Sequence, residues 1–286
     1  MSVKRIFMLF FVLMLSILIV GCSDSETSSD NEETEDQTET EADPSTTTDT
    51  DSDSTDGETK SSGGGGELAI AVTAQPPVID PHMTTANVAI EIARNVFEPL
   101  VTTNEQFQPT LMLAESVDTS DDGLTYTFHL REGITFHNGE EMTSEDVVAS
   151  MNRWLELSSR AQTYLSGATF EVEDPYTAVL TVQSYSTDVL EILSSSGQFP
   201  GIMPKEVIES ADVEGVTELI GTGPFKFEEW AQDQYIHLSK FDDYQAVDDE
   251  PSGLSGKKEA LVDDVYFRFV SDTSTRLAGV QTGEYD

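Results

Sequence analysis

Four histidines are the side chains of this chain that could bind a metal ion or transfer a proton. His129 and His137 lie eight residues apart across a predicted turn, and His82 and His237 are distant from them in sequence. Zinc sites place histidines at shorter fixed spacings or combine them with several cysteines, and this chain has one cysteine. The sequence therefore predicts no metal site and no cofactor.

The arrangements that carry hydrolysis or phosphate chemistry are also missing from the sequence. It contains no Gly-x-Ser-x-Gly elbow, and the Gly-Thr-Gly-Pro segment at 221–224 lacks the Gly-Lys-Ser/Thr ending of a P-loop. Carboxylate pairs such as Asp242-Asp243 and Asp263-Asp264 arise readily among 54 acidic residues and predict a solvated surface. We therefore expect a binding protein and not an enzyme.

The charge of the chain excludes one class of partner. Its 14 basic and 54 acidic residues give a formal net charge of −40, which would repel the phosphates of nucleic acids. The acidic excess suits an outer-surface protein in a salty or alkaline medium, and it suits equally a secreted protein kept soluble by charge. A single cysteine excludes an intramolecular disulfide, so packing must stabilise the fold.

The N-terminus has the pattern of an export signal. Lys4 and Arg5 precede an apolar run at 6–20, which is shorter than the roughly 20 residues of a membrane span. Gly21-Cys22 then resembles a lipoprotein cleavage box. We expect residues 1–22 to hold a lipoprotein signal peptide, with Cys22 as the mature N-terminus carrying diacylglycerol and palmitate; the alternative is a free cysteine beside an uncleaved anchor.

Residues 23–66 form a low-complexity segment rich in Ser, Thr, Asp and Glu that ends in four glycines. With almost no apolar residues it cannot repay its ordering entropy, so we expect a disordered acidic linker. A tether of this length has a reach of roughly 35–40 Å. It would either hold a folded domain near a membrane partner or act as a passive spacer.

The clearest pattern in the rest of the chain is a strand followed by turns. Tyr126, Phe128 and Leu130 alternate with polar residues, as in a half-buried strand. Ile134 and Phe136 predict a second short strand, and the Asn-Gly pair after them predicts a tight turn.

A capped helix is expected to follow this turn. Thr143 and Asp146 have the spacing of a capping box. Five apolar residues then fall on one helical face: Val147, Val148, Met151, Trp154 and Leu155.

Further elements are predicted on both sides of this region. Residues 67–73 read as a buried first strand, and Thr85 could cap a helix that follows it. Asp174-Pro175 predicts a hairpin turn. Residues 265–269 predict a strand, and residues 274–283 predict a helix.

Three segments carry longer motifs: LREGITFHNG at 130–139 with MTSEDV at 142–147, NVFEPLV at 95–101, and GTGPFKFEEW at 221–230. Together they resemble the signature segments of family 5 extracellular solute-binding proteins, the peptide- and nickel-binding receptors of ABC importers. In this resemblance His137 is a turn-stabilising side chain.

The resemblance implies an α/β (mixed α+β) fold, periplasmic-binding-protein-like of class II. Residues 67–286 would form its first lobe, with a core at about 67–100 and 215–286 and an inserted β-rich subdomain at about 101–214. Family members run about twice as far, so we expect the N-terminal portion of a receptor, with the second lobe missing because of a truncated gene or a short variant.

The resemblance also implies a function. The chain would be a monomeric receptor, lipid-anchored on the outer face of the cell membrane, that binds oligopeptides or dipeptides for an ABC permease and ATPase. By position Ala74, Gln75 and Pro76 would face the ligand cleft, and Tyr164 would border the peptide pocket. Because the second lobe supplies much of the cleft, we expect the chain alone to bind peptide weakly or not at all.

Two alternatives remain at the level of sequence. The same motifs occur in receptors for nickel, haem or another solute, and a surface-anchored adhesion or signalling module would share the anchor without transporting anything. Trp154 and Trp230 could stack on a ligand or pack in the core.

Overall fold

The computed structural model describes residues 65–286 as a mixed α/β structure. The predicted signal peptide at 1–22, including Cys22, and nearly all of the predicted linker lie outside the described residues. Within 65–286, no helix has both the length and the apolar character needed to cross a membrane.

The described residues form ten strands and six helices. The strands are β1 (Glu67–Val72), β2 (Val101–Thr103), β3 (Pro109–Leu111), β4 (Ala114–Thr119), β5 (Thr125–Leu130), β6 (Thr169–Asp174), β7 (Thr177–Thr181), β8 (Phe225–Ala231), β9 (Tyr235–Lys240) and β10 (Asp264–Phe269). The helices are α1 (Asn87–Val96), α2 (Ser144–Leu157), α3 (Ser159–Tyr164), α4 (Val189–Leu193), α5 (Lys205–Ser210) and α6 (Thr273–Thr282).

The first large sheet has the strand order β1-β10-β9-β8. β1 runs parallel to β10, and the other pairs are antiparallel. The prediction that β1 is buried was wrong in degree: Ala69 and Val72 are buried, while Glu67 is exposed. An edge strand is covered on fewer sides than a central one, so its side chains are only partly shielded.

The second large sheet has the order β4-β5-β7-β6 and is antiparallel throughout. The predicted alternation in β5 is confirmed, because Tyr126, Phe128 and Leu130 are all buried. The predicted hairpin at Asp174-Pro175 is confirmed as the β6–β7 connection. β2 and β3 form a separate two-stranded sheet.

The segment after β5 differs from the prediction. The second short strand is absent from the described structure, and the segment forms instead an isolated bridge between Thr135 and Glu141. The predicted turn is present: Gly139 has φ +86° and its N–H donates to Phe136 O at 2.9 Å. The Phe136 N–H donates to Glu140 O and the Met142 N–H to Ile134 O, each at 2.8 Å. The pairing stops there because Gly133 turns the chain and Thr143 already caps α2.

The capping box of α2 is confirmed. The Asp146 carboxylate accepts hydrogen bonds from the backbone N–H of Thr143 at 2.8 Å and from its hydroxyl at 2.9 Å. The predicted cap of α1 was wrong, because Ala86 occupies the N-cap position. The Thr84 hydroxyl instead accepts from the Ala86 N–H, which leaves Thr85 without a capping role.

Each large sheet has its own apolar core. Core one packs the first sheet against α1 and includes Ile92, Phe97 and Ile236. Core two packs the second sheet against α2 and includes Phe128 and Trp154. The division of 67–286 into a core and an inserted subdomain stays a prediction.

Candidate ligand-binding site

The candidate ligand site begins where β1 ends. β1 and β10 are parallel, so Val72 and Phe269 lie side by side at their carboxyl ends. Ligands of α/β proteins commonly bind at this edge of a sheet. The predicted cleft residues follow directly: Ala74 is exposed, Gln75 is partly buried and Pro76 is buried.

The Gln75 side chain ties this loop to the β8–β9 hairpin. Its Oε1 accepts from the Trp230 indole N–H at 3.2 Å and from the Asp233 backbone N–H at 2.7 Å. Its Nε2 donates to Gln232 Oε1 at 3.0 Å. Trp230 is therefore held beside the predicted cleft loop, whereas Trp154 is fully buried in core two.

Tyr164 lies on a different element from the cleft loop. It is the last residue of α3, which packs against α2 and α4, and it is 65% exposed. The structure thus brings Gln75 and Trp230 together. That Ala74, Gln75, Pro76 and Tyr164 bind ligand stays a prediction.

A buried ion pair fixes the chain that follows the cleft loop. Asp80 is fully buried, and the Arg153 guanidinium on α2 donates to its Oδ2 at 2.6 Å and to its Oδ1 at 3.2 Å. The N–H of Val216 also donates to it, at 3.1 Å. Burial opposes ionisation of Asp80, but Arg153 and His82 outweigh it and hold its pKa below the usual value.

His82 belongs to the same cluster. Its Nδ1 faces the Arg153 guanidinium at 3.1 Å, and a guanidinium can only donate. His82 Nε2–H therefore donates to Gly201 O, 2.8 Å away. Burial lowers the pKa of His82 to about 4, so the ring is neutral at pH 7.

Glu98 is a second buried charge, within the segment 95–101. Its carboxylate accepts from Lys258 Nζ at 3.0 Å, from the Tyr244 hydroxyl at 2.9 Å and from the Thr222 hydroxyl at 3.0 Å. Burial and the carboxylate raise the pKa of Tyr244, which keeps its proton in place for this bond.

His137 connects two motifs. The resemblance implies that His137 stabilises its own turn, but its ring also forms hydrogen bonds with the distant segment 221–224. Nε2–H donates to Gly223 O at 2.9 Å, and Nδ1 accepts from Gly221 N–H at 3.3 Å. Burial lowers the pKa of His137 to about 4, which preserves the neutral ring that this bonding needs.

The motif residues therefore hold the fold together, and sequence reasoning missed the charges that do so. Asp80, Glu98 and Arg153 received no role. The available signal was a charge placed inside an otherwise apolar motif, as in Ile-Asp-Pro-His and Asn-Val-Phe-Glu. Over residues 65–286, the structure shows no group of three or more His, Cys, Asp or Glu side chains placed to hold a metal ion.

The sequence model described as "Bacterial extracellular solute-binding proteins, family 5 Middle" matches residues 108–286. The chain belongs to this family. It is 33% identical over 217 residues to a probable peptide ABC transporter periplasmic-binding protein of Sinorhizobium fredii, covering 73% of this chain and 40% of that protein. It is 27% identical to the oligopeptide-binding protein AppA of Bacillus subtilis, covering 76% and 39%. The chain thus spans about two fifths of the length of the curated relatives it matches.

Solved structures of the family share the fold. The structure of AppA from Bacillus subtilis with a nonapeptide matches with a TM-score of 0.65 and 26% identity, over 78% of this chain and 44% of that chain. DppA of Helicobacter pylori with the peptide STSA matches with a TM-score of 0.63 and 29% identity, over 78% and 46%. The described residues therefore have a mixed α/β fold that matches part of these periplasmic binding proteins, as predicted.

Proposed function

We propose that this chain is the ligand-binding component of an ABC importer and that it binds extracellular oligopeptides or dipeptides without transforming them. Membership of the solute-binding family carries the proposal. It is supported by similarity to a probable peptide-binding relative and to two structures that hold peptides. A permease and an ATPase would be its partners, and the chain would act as a monomer.

The loop after β1 offers the groups that an extended peptide needs. Ala74 is exposed, and its side chain is only a methyl group. Of the hydrogen bonds described for residues 65–286, none uses the backbone of Thr73 or Ala74. Main-chain pairing at this edge would bind peptides of varied sequence. Gln75 acts as a positioning residue, because its amide is already bonded to Trp230 and Asp233.

Amide-resolved NMR of the full chain tests the proposal even where binding is weak. Titration with an equimolar mixture of short peptides is expected to shift the Thr73 and Ala74 amide signals and the Trp230 indole signal, with a millimolar dissociation constant. The indole signal of Trp154 serves as the internal control, because that ring is fully buried in core two. Shifts elsewhere alone would contradict the proposed site, and micromolar binding would contradict the expectation that the chain alone binds peptide weakly or not at all.

The same titration separates the alternatives. A structure of AgaA in complex with agropinic acid matches with 28% identity and a TM-score of 0.66, so a non-peptide organic acid is a second candidate ligand. Nickel–histidine, haemin and a dicarboxylic acid are added in separate titrations. Shifts at Ala74 with one of these, and none with peptides, would replace peptide as the ligand class.

The anchor proposed for Cys22 has its own test. Cells expressing the full chain are fed an alkyne analogue of palmitate, and the label is expected on the wild type and not on Cys22→Ser. Equal labelling of both chains would refute lipidation at Cys22.

A further inference from the structure

A cavity of about 300 Å³ lies at the end of the first sheet opposite the candidate peptide site. Phe225, the first residue of β8, lines the cavity and pairs with Lys240 at the end of β9. Gln75, in contrast, bonds to Asp233 in the β8–β9 turn. The two places are therefore at opposite ends of the same strands.

The interior of this cavity is largely apolar. It lies between the C-terminal end of α1, the loop at 195–199 and the loop at 251–259. Phe97, Phe199 and Phe225 supply aromatic walls. Its volume is at the lower end of the range of about 300–1,000 Å³ typical of small-molecule pockets.

Cations gather at this cavity although the chain is strongly acidic. The cavity is lined by three of the chain's 14 basic residues: Arg94, Lys257 and Lys258. The acidic residue in the lining is Glu259, which is exposed. Lys258 is engaged by Glu98. The ion pairs described for residues 65–286 include neither Arg94 nor Lys257.

Arg94 is the cation placed to bind a ligand. It is partly buried, and its Nη2 donates to Ser196 O, which leaves the rest of the guanidinium fork available. Burial lowers the pKa of Arg94, with Glu91 acting in the opposite direction. Burying a cation without a paired anion costs free energy, and a carboxylate in the cavity would offset that cost.

We propose that this cavity is a second ligand site, which takes a small carboxylate bearing an apolar group. Arg94 binds the carboxylate as a fork, Lys257 at the exposed rim adds a second positive charge, and the aromatic walls receive the apolar group. A guanidinium matches the planar geometry of a carboxylate. The volume suits a ligand of the size of an arylalkanoic acid.

Binding of 3-phenylpropionate to the full chain tests this site by calorimetry and saturation-transfer NMR, with 3-phenylpropionamide as the neutral probe of equal shape. Arg94→Gln is expected to weaken phenylpropionate binding about tenfold and Lys257→Gln about threefold. The matched control is Arg160→Gln, which removes an exposed arginine 3.9 Å from Glu191 and should leave the affinity unchanged. The amide is expected to bind at least tenfold more weakly than the acid.

If Arg94→Gln fails to fold, Lys257→Gln still tests the site, because Lys257 is exposed and its replacement should not disturb folding. Circular dichroism of each variant reports folding, and the wild-type acid-to-amide ratio needs no variant at all. Equal affinity for acid and amide, equal effects of Arg94→Gln and Arg160→Gln, or no binding at millimolar phenylpropionate would each overturn the proposal. Unchanged amide signals of Thr73 and Ala74 during the titration would support a site separate from the peptide site.

Discussion

Asp80 and Glu98 are carboxylates that this fold buries completely, with exposures of 0% and 2%. A buried charge costs several kcal/mol unless hydrogen bonds and opposite charges surround it. Asp80 has Arg153 and two backbone N–H groups, and Glu98 has a lysine and two hydroxyls. These charges are therefore compensated only in one arrangement of their neighbours, which favours that arrangement over others.

Replacing Arg153 should reveal this dependence. Arg153→Met leaves Asp80 buried beside an apolar side chain and is expected to lower the free energy of unfolding by about 3–5 kcal/mol. Urea unfolding followed by circular dichroism measures it. Lys205→Met, which breaks the exposed pair with Glu145, is the control and should cost less than about 1 kcal/mol. A loss below 1 kcal/mol for Arg153→Met would show that Asp80 does not need this partner.

A double variant separates the charge from the packing. Asp80→Asn in the Arg153→Met background removes the uncompensated charge and is expected to recover more than half of the lost stability. If the double variant is as unstable as Arg153→Met, packing of the arginine stem explains the loss.

The two neutral histidines predict a dependence of stability on pH. His82 and His137 each have a folded pKa of about 4, below the unfolded value near 6.5. The unfolded chain therefore binds more protons between these values, and stability that is complete above pH 6.5 falls as the pH drops towards 4. Between pH 6.5 and pH 5 the two rings together should cost roughly 2–4 kcal/mol.

Urea unfolding at pH 7, 6 and 5 checks the expected loss, and NMR titration of the ring signals checks the pKa values directly. The control is Arg160→Gln, which changes an exposed side chain away from both histidines and should keep the wild-type pH slope. Rings of His82 and His137 that titrate near 6.5 in the folded chain would contradict the argument.

At the scale of elements, the segment 221–224 can approach α1 only because it contains two glycines. A Cβ atom at Gly221 would lie 2.1 Å from Val96 O, and one at Gly223 would lie 2.4 Å from Asn95 O. The close approach lets the Gly223 N–H donate to Val96 O at 2.9 Å, which satisfies a carbonyl at the end of the helix.

Gly221→Ala should therefore push the segment away from α1. Because the clash is with backbone and not with a flexible side chain, we expect a loss of about 3 kcal/mol or more, or failure to fold. Gly197→Ala is the matched control, since a Cβ there meets no atom within 4 Å and its φ is not in the left-handed region. Thermal unfolding compares the two, and equal melting temperatures would refute the role of close approach.

Local patterns predicted those elements whose signals are local. β5 and α2 were predicted correctly because each has a signal confined to a few consecutive residues: alternation in β5 and the capping box in α2. Thr85 was assigned the wrong role because a threonine near a predicted helix start is typical of a cap, whereas here Ala86 is the N-cap residue and its N–H bonds to the Thr84 hydroxyl. Asp80 and its partner Arg153 are 73 residues apart in sequence, and Glu98 and its partner Lys258 are 160 residues apart. No local pattern could pair them.

The position of the cleft loop was predicted only through the family resemblance. Composition and spacing gave no reason to choose Ala74, Gln75 and Pro76. The bond from Trp230 to Gln75 joins residues 155 positions apart, which neither the local pattern nor the motif indicates.

At the scale of the molecule, the buried ion pair joins regions that have separate cores. Asp80 follows Ile79 of core one, and Arg153 precedes Trp154 of core two. If both cores depend on this pair, they should unfold together, because opening one core alone would leave the other core with a buried charge that has lost its partner. Loss of the pair should let the two cores unfold separately.

The two tryptophans can report this coupling, because Trp154 lies in core two and Trp230 packs against core one. The chain labelled with 5-fluorotryptophan gives one ¹⁹F resonance for each ring. In urea the two unfolding curves of the wild type are expected to coincide, whereas in Arg153→Met their midpoints should separate by about 0.5 M or more, given slopes of roughly 1–3 kcal/mol per molar urea. Lys205→Met should keep coincident curves. Separate curves in the wild type would show that the cores are independent, and coincident curves in Arg153→Met would show that contacts other than the buried pair couple them.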